Sequence, residues 1–252
     1  MLTRKVEVVV MKNELYLKGN LEVTLGDMTL EKETEILILK FLREYQHLEV
    51  LSPYHLPVYT KLLFYGPSGC GKTMMAHALA KELGCGIIVV NLSTIVSSKL
   101  GESAKNITTL FQKATQQKSI LFLDEFDSLG AMRNMESKES GEMRRVVNTL
   151  IQSLDYLHKD TILIAATNEI SLLDQALLRR FQLKICFTMP NRQVLDSYYD
   201  ETLLKYPKNC RNIERTYNIS FAEAKILMTD QVKEVLINEA LERKDNGTDH
   251  SE

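Results

Sequence analysis

The stretch that most narrows what this chain can fold into is "GPSGCGKT", Gly66 to Thr73. It fits the spacing G-x-x-x-x-G-K-[ST], and its surroundings give the spacing meaning. The apolar run "KLLFYG" (Lys61–Gly66) leads into it and reads as a buried strand ended by glycine. "KTMMAHALAKELG" leads out of it and reads as a helix stopped at Gly84. A loop between a strand and a helix N-terminus can turn successive backbone N–H groups toward phosphate oxygens, and the helix dipole adds positive potential there. Gly66, Gly69 and Gly71 permit the turn, while Pro67, Ser68 and Cys70 contribute backbone. Lys72 can reach the β and γ phosphates of a nucleotide, and Thr73 can offer a hydroxyl to Mg²⁺, with Met74 beside it.

The rest of the chain supports an α/β architecture. "GIIVVNL", "SILFLDEFD", "TILIAATN" and "LKICFT" are further apolar runs of strand length. Helical patterns separate them, over 104–117 with Ile107, Leu110 and Phe111 on one face, and over 142–157 with Val146, Val147, Leu150, Ile151 and Leu154 inward. Strands apolar on both faces and alternating with helices predict a parallel sheet covered on both sides. Upstream, residues 1–26 alternate apolar and polar residues as a β hairpin or flap would, and 30–50 have helical spacing. After Pro190 strand-like runs stop, and 194–206, 220–228 and 230–242 read as helices of a small appendage. The expected division is 1–26, 27–190, a helical unit over 191–243 and a polar tail over 244–252.

Three further groups carry chemistry. Asp124 falls at the carboxyl end of a buried strand, where ligands sit in open α/β sheets. A carboxylate there can hold Mg²⁺, and Glu125 beside it can polarise a water for attack on a γ phosphate. Asn168 ends another buried strand and can orient that water through its amide. Arg179 and Arg180, in "LDQALLRRF", could be a solvated pair, or could neutralise charge on a transferring phosphoryl group from a neighbouring subunit.

Together, "GPSGCGKT", "LFLDEFD", "AATN" and "LLDQALLRRF" resemble the AAA+ ATPases in order and spacing, from about 62 to 187. "LGES", "GEMRRVVN" and "LLRRF" are most similar to the AAA subclass, particularly its compact bacterial single-ring members. The resemblance implies a sheet ordered 5-1-4-3-2 with a helical lid over the nucleotide, and the cofactors ATP and Mg²⁺. It also implies that Lys72 and Thr73 serve phosphate and metal. Asp124 and Glu125 would be the metal aspartate and catalytic glutamate, Asn168 the polar sensor, and Arg179 and Arg180 the trans-acting arginines. In the lid, Ala222 is the nearest match to the small residue beside the nucleotide, and no lid arginine is evident. Rings of six subunits, acting on a protein substrate, are the usual assembly. "SSKLGES" falls where such rings place a pore loop, with Lys99, Leu100 and Gly101 expected to face the axis. Relatives that thread polypeptide usually carry an aromatic at the position of Lys99. Lysine has an apolar stem and a charged head, which leaves open a grip on acidic or polar segments, a ring that does not thread, or a solvated loop charge.

Composition limits the alternatives. The formal net charge is -2, so no overall basic excess favours a nucleic-acid loader or helicase over a protein remodeller or an ATP-gated switch. The four cysteines stand far apart without a CxxC pair, as reduced cytoplasmic thiols do, and no run has the length and apolarity a bilayer demands. His77 reads as a packing or surface residue, and Arg144 and Arg145 as either the solvated start of a helix or side chains that reach a neighbouring subunit. The short segment before the ATPase region suggests that a partner protein selects the substrate.

Overall fold

In the computed structural model, residues 23–96, 103–131 and 139–247 are described. Five short strands form the centre: β1 (Lys61–Tyr65), β2 (Ile87–Asn91), β3 (Ile120–Asp124), β4 (Leu163–Thr167) and β5 (Leu183–Cys186). All pair in parallel, with Lys61 opposite Leu163, Leu62 opposite Leu183 and Ile87 opposite Ile120. The order is β2-β3-β4-β1-β5, which is the expected 5-1-4-3-2 read from the other edge. Every residue of β4 is buried, as is every residue of β3 except Asp124. Helices on both faces explain why these runs are continuously apolar rather than alternating.

The helices are α1 (Lys32–Gln46), α2 (Leu48–Leu51), α3 (Lys72–Glu82), α4 (Leu92–Val96), α5 (Ser103–Gln117), α6 (Ser128–Ala131), α7 (Glu139–Tyr156), α8 (Gln175–Leu178), α9 (Arg192–Leu203) and α10 (Phe221–Gly247). Alternate β1 side chains divide between two cores. Leu63 joins Ile107 and Phe111 of α5 and Val147 and Leu150 of α7. Leu62 and Phe64 join Ile38 and Phe41 of α1 and Met75 and Leu79 of α3. A third core holds the small helical unit together, with Leu195, Tyr199 and Leu203 of α9 against Ala224, Met228 and Val232 of α10. Among the described residues no helix is long and apolar enough to cross a membrane.

Several expectations change. The upstream hairpin lies largely outside the described residues, and its described end, Leu25–Asp27, is a 3₁₀ turn rather than a strand. The Thr24 N–H and hydroxyl both donate to the Asp27 carboxylate, at 2.9 and 2.6 Å, and that local closure favours a turn. The helical stretch over 30–50 breaks at His47, whose ring nitrogen Nδ1 lies 2.8 Å from the Arg43 carbonyl. The two helices expected over 220–242 are one, continuing through Gly247 into the expected tail. Thr229 and Asp230 do not interrupt it: the Thr229 hydroxyl bonds the Ile226 carbonyl at 3.0 Å, and Met228 and Val232 stay buried on one face. Lys99, Leu100 and Gly101 lie outside the described residues.

Candidate active site

The loop of Gly66 to Thr73 closes by backbone geometry that only glycine takes easily. Gly66 has φ 135, and a Cβ on it would lie 1.9 Å from the Phe187 carbonyl oxygen. Its N–H donates to the Thr167 carbonyl at 3.2 Å, so the loop starts pinned between the ends of β4 and β5. Gly71, at φ 97, stands at the N-terminus of α3, and the first turn of that helix carries Lys72 and Thr73.

Lys72 is 7% exposed, and its ammonium donates to the Gly66 carbonyl at 2.5 Å, the Pro67 carbonyl at 2.8 Å and Asn168 Oδ1 at 2.9 Å. Burial pulls its pKa below that of an ordinary lysine, opposed by Cys70, Asp124 and Asp127 nearby. The Thr73 hydroxyl donates to Asp124 Oδ2 at 3.1 Å. The side chains named from the ends of β1, β3 and β4 are thus gathered at one place. Thr73 and Asp124 together present oxygen donors of the kind Mg²⁺ prefers, alongside room for phosphate and water.

Glu125 is exposed on the cleft wall with φ 53, in the left-handed region that non-glycine residues seldom enter. Its N–H donates to Asp124 Oδ1 at 2.9 Å, and its carbonyl accepts from the Ser128 N–H at 3.0 Å. Flanking hydrogen bonds hold the strained turn, a pattern that gathers at functional sites. Asp127, not singled out in the sequence, accepts from the Asn168 N–H at 3.4 Å and so tethers the ends of β3 and β4.

The cleft encloses about 480 Å³ and extends beyond the phosphate loop to Met28, Tyr198, Phe221, Ala222 and Lys225. Ala222 lies there as expected, and its N–H donates to the Gly69 carbonyl at 3.2 Å. Met74 lines the cleft too, 40% exposed. Lys225 was missed because only an arginine was sought in the lid. It follows Ala222 by three positions, one helical turn, and that spacing was the available signal. Tyr198 and Phe221 meet edge to face at 5.2 Å between centroids and form the apolar wall. Met28 falls between the segments read as strand and as helix, and a Cβ on Gly71 would come within 3.2 Å of its methyl carbon.

The upstream segment also touches the helical unit. The Thr29 hydroxyl lies 3.4 Å from Glu201 Oε2, and Asn191 donates to Glu31 at 3.0 Å. Cys70 is buried with its sulfur 3.7 Å from Met189 Sδ, and burial pushes the thiol pKa up, which argues against a reactive thiolate. His77 is buried in α3, and burial lowers its pKa. Arg144 and Arg145 are exposed along α7. Arg179 and Arg180 do not line the cleft.

A family model described as "ATPase family associated with various cellular activities (AAA)" matches residues 62–189. An uncharacterised AAA family ATPase of Sinorhizobium fredii is 36% identical over 215 residues, covering 84% of this chain and 65% of that protein. A provisionally named 26S proteasome regulatory subunit homologue of Methanocaldococcus jannaschii is 34% identical over 172 residues, covering 65% of this chain and 46% of its own. A nuclear valosin-containing protein-like protein of Mus musculus is 36% identical over 175 residues, 66% of this chain and 20% of its own. The chain therefore spans less than two thirds of the length of these relatives.

Proposed function

The chain belongs to the AAA family of ATPases, and from that premise we propose that it hydrolyses ATP in a cleft completed by a second copy of itself, coupling turnover to remodelling or disassembly of a protein partner. The observation that carries the reading is the convergence of Lys72, Thr73, Asp124 and Asn168 within hydrogen-bond reach of one another beside a glycine loop. Lys72 bonds two loop carbonyls and Asn168, contacts it can exchange for phosphate oxygens. Backbone N–H groups of the loop and the start of α3 would cradle the β phosphate. Mg²⁺, when bound, would be held by Thr73 and Asp124 and would neutralise charge on the β and γ oxygens.

Glu125 would take the proton of a water whose position Asn168 fixes. An arginine from the adjacent copy would meet charge developing on the γ phosphoryl group, since among the described residues no arginine lines the cleft. A homo-oligomeric ring, of six subunits by family habit, follows from that need. Proteasome-related and valosin-containing-like relatives support a protein partner. An ATP-gated switch is the second reading, favoured by Lys99 where threading relatives usually carry an aromatic. The test is Glu125→Gln loaded with ATP. It should bind nucleotide, fail to hydrolyse it, persist as an assembly and co-purify with a protein partner. Loss of nucleotide binding would remove Glu125 from the assigned role, and recovery of nucleic acid alone would remove the remodelling reading.

A further inference from the structure

Arg179 and Arg180 are neighbours at the end of α8, but their surroundings differ. Arg180 donates from Nε to Asp155 Oδ1 at 3.1 Å and from Nη2 to Asp155 Oδ2 at 3.0 Å, a two-pronged pair, while Nη1 donates to the Ala176 carbonyl at 2.7 Å. Asp155 sits in the last turn of α7, a helix anchored through Val147, Leu150 and Leu154 in the core. The hydrogen-bonded guanidinium holds the Asp155 carboxyl below the usual carboxylate range. Arg179, by contrast, is exposed, and among the described residues its side chain makes no hydrogen bond or ion pair. The next residue, Phe181, is buried with its ring edge-on to Phe126 at 5.5 Å and 90°. Phe126 directly follows Glu125, and its N–H donates to the Ala166 carbonyl at 2.8 Å.

The segment is therefore clamped at Arg180 and Phe181 and projects at Arg179. A guanidinium closed on a carboxylate must break both charge-assisted bonds before it can fork onto phosphate. Among the described residues Arg179 has no such bonds to break. An ion pair this exposed adds little stability, so its contribution is orientation.

We propose that the two arginines divide the work: Arg179 alone reaches the nucleotide of the neighbouring subunit, and the Asp155–Arg180 pair is a strut that aims it. Asp155 and Arg180 are positioning residues on this view. The Phe126–Phe181 contact ties the strut to the same subunit's own Glu125 turn, giving adjacent sites a physical connection. The proposal rests on the shared-site reading above.

The experiment measures steady-state ATP turnover of purified protein, with ADP binding on every variant as the check on folding. Arg179→Ala should lower kcat about 10³-fold and leave the KM for ATP nearly unchanged. Arg180→Ala and Asp155→Asn should each lower kcat about 10-fold, with the double variant no worse than either single change, as expected for one shared interaction. Reversing the pair, Asp155→Arg with Arg180→Asp, should restore most of the lost turnover. An Arg180→Ala loss as deep as that of Arg179→Ala, or additive single losses, would overturn the division. If the reversed pair fails to bind ADP, additivity of the single changes decides. Mixing Lys72→Ala with Arg179→Ala separates the two ideas. Turnover recovered in the mixture upholds the shared site whatever Arg180 does, and absence of recovery sinks the shared site itself.

Discussion

Lys72 shows how much chemistry a single position gathers. Its ammonium is surrounded by two loop carbonyls and Asn168 Oδ1, all within 2.9 Å, inside a pocket that lowers its pKa. Lys72→Ala should abolish ATP binding, because no other described side chain offers a buried ammonium to the phosphates; a titration with a fluorescent ATP analogue checks it. Asn168→Ala should retain binding and lower kcat roughly 10- to 100-fold if its amide orients water, as proposed, rather than holding phosphate. Gly66→Ala should fail for backbone reasons. Its φ of 135 and the Phe187 carbonyl 1.9 Å from a new Cβ leave no space. A cost on the order of 3 kcal/mol, and a melting temperature lower by about 10 °C, are expected by calorimetry. These positions were legible in the sequence because their spacing and the flanking strand and helix together specify one loop. Asp127 was not, because its part depends on β3 and β4 being adjacent, which spacing along the chain does not state.

Among the elements, α10 brings the helical unit to the cleft, and its first turn is fixed by a reciprocal cap. The Ser220 N–H and hydroxyl donate to Glu223 Oε2 at 2.8 Å each, and the Glu223 N–H returns to the Ser220 hydroxyl at 3.3 Å. Ser220→Ala should cost about 1 kcal/mol and also loosen the Gly69 loop it faces, seen as weaker ADP binding. Those bonds lower the Glu223 pKa, and Tyr217 and Arg215 lower that of Asp196 on α9. Both carboxyls are depressed in the folded state, so their contribution is present above the ordinary carboxylate pKa of about 4. It is lost as pH falls through the folded values. Thermal stability should drop below about pH 4, and Glu223→Gln with Asp196→Asn should flatten that dependence. Element types were readable where periodicity was strong, as in β1 to β5 and α5. The sequence suggests two helices where the structure has the single α10, because Thr229-Asp230 looks like a break, while the burial of Met228 and Val232 on one face exists only after packing against α9.

At the scale of the whole molecule, the proposed reaction draws on two subunits. Among the described residues the cleft is lined by Lys72, Thr73, Asp124, Glu125 and Asn168 and by no arginine, while Arg179 projects from α8 without a hydrogen bond or ion pair. The sheet order was legible only through the family resemblance, since motif order along the chain does not state which strands are neighbours. The apolar wall of Tyr198 and Phe221 and the cleft position of Lys225 were not, because they depend on how the helical unit folds back over the loop. On that proposal turnover is a property of the assembly. The most direct measurement is ATP turnover per subunit as protein concentration is raised from nanomolar to tens of micromolar at saturating ATP, with mass recorded by light scattering alongside. Turnover per subunit should rise steeply with assembly and be near zero for the monomer. Constant turnover per subunit across that range, with a monomer at the lowest concentration as active as the assembly, would contradict a site shared between subunits.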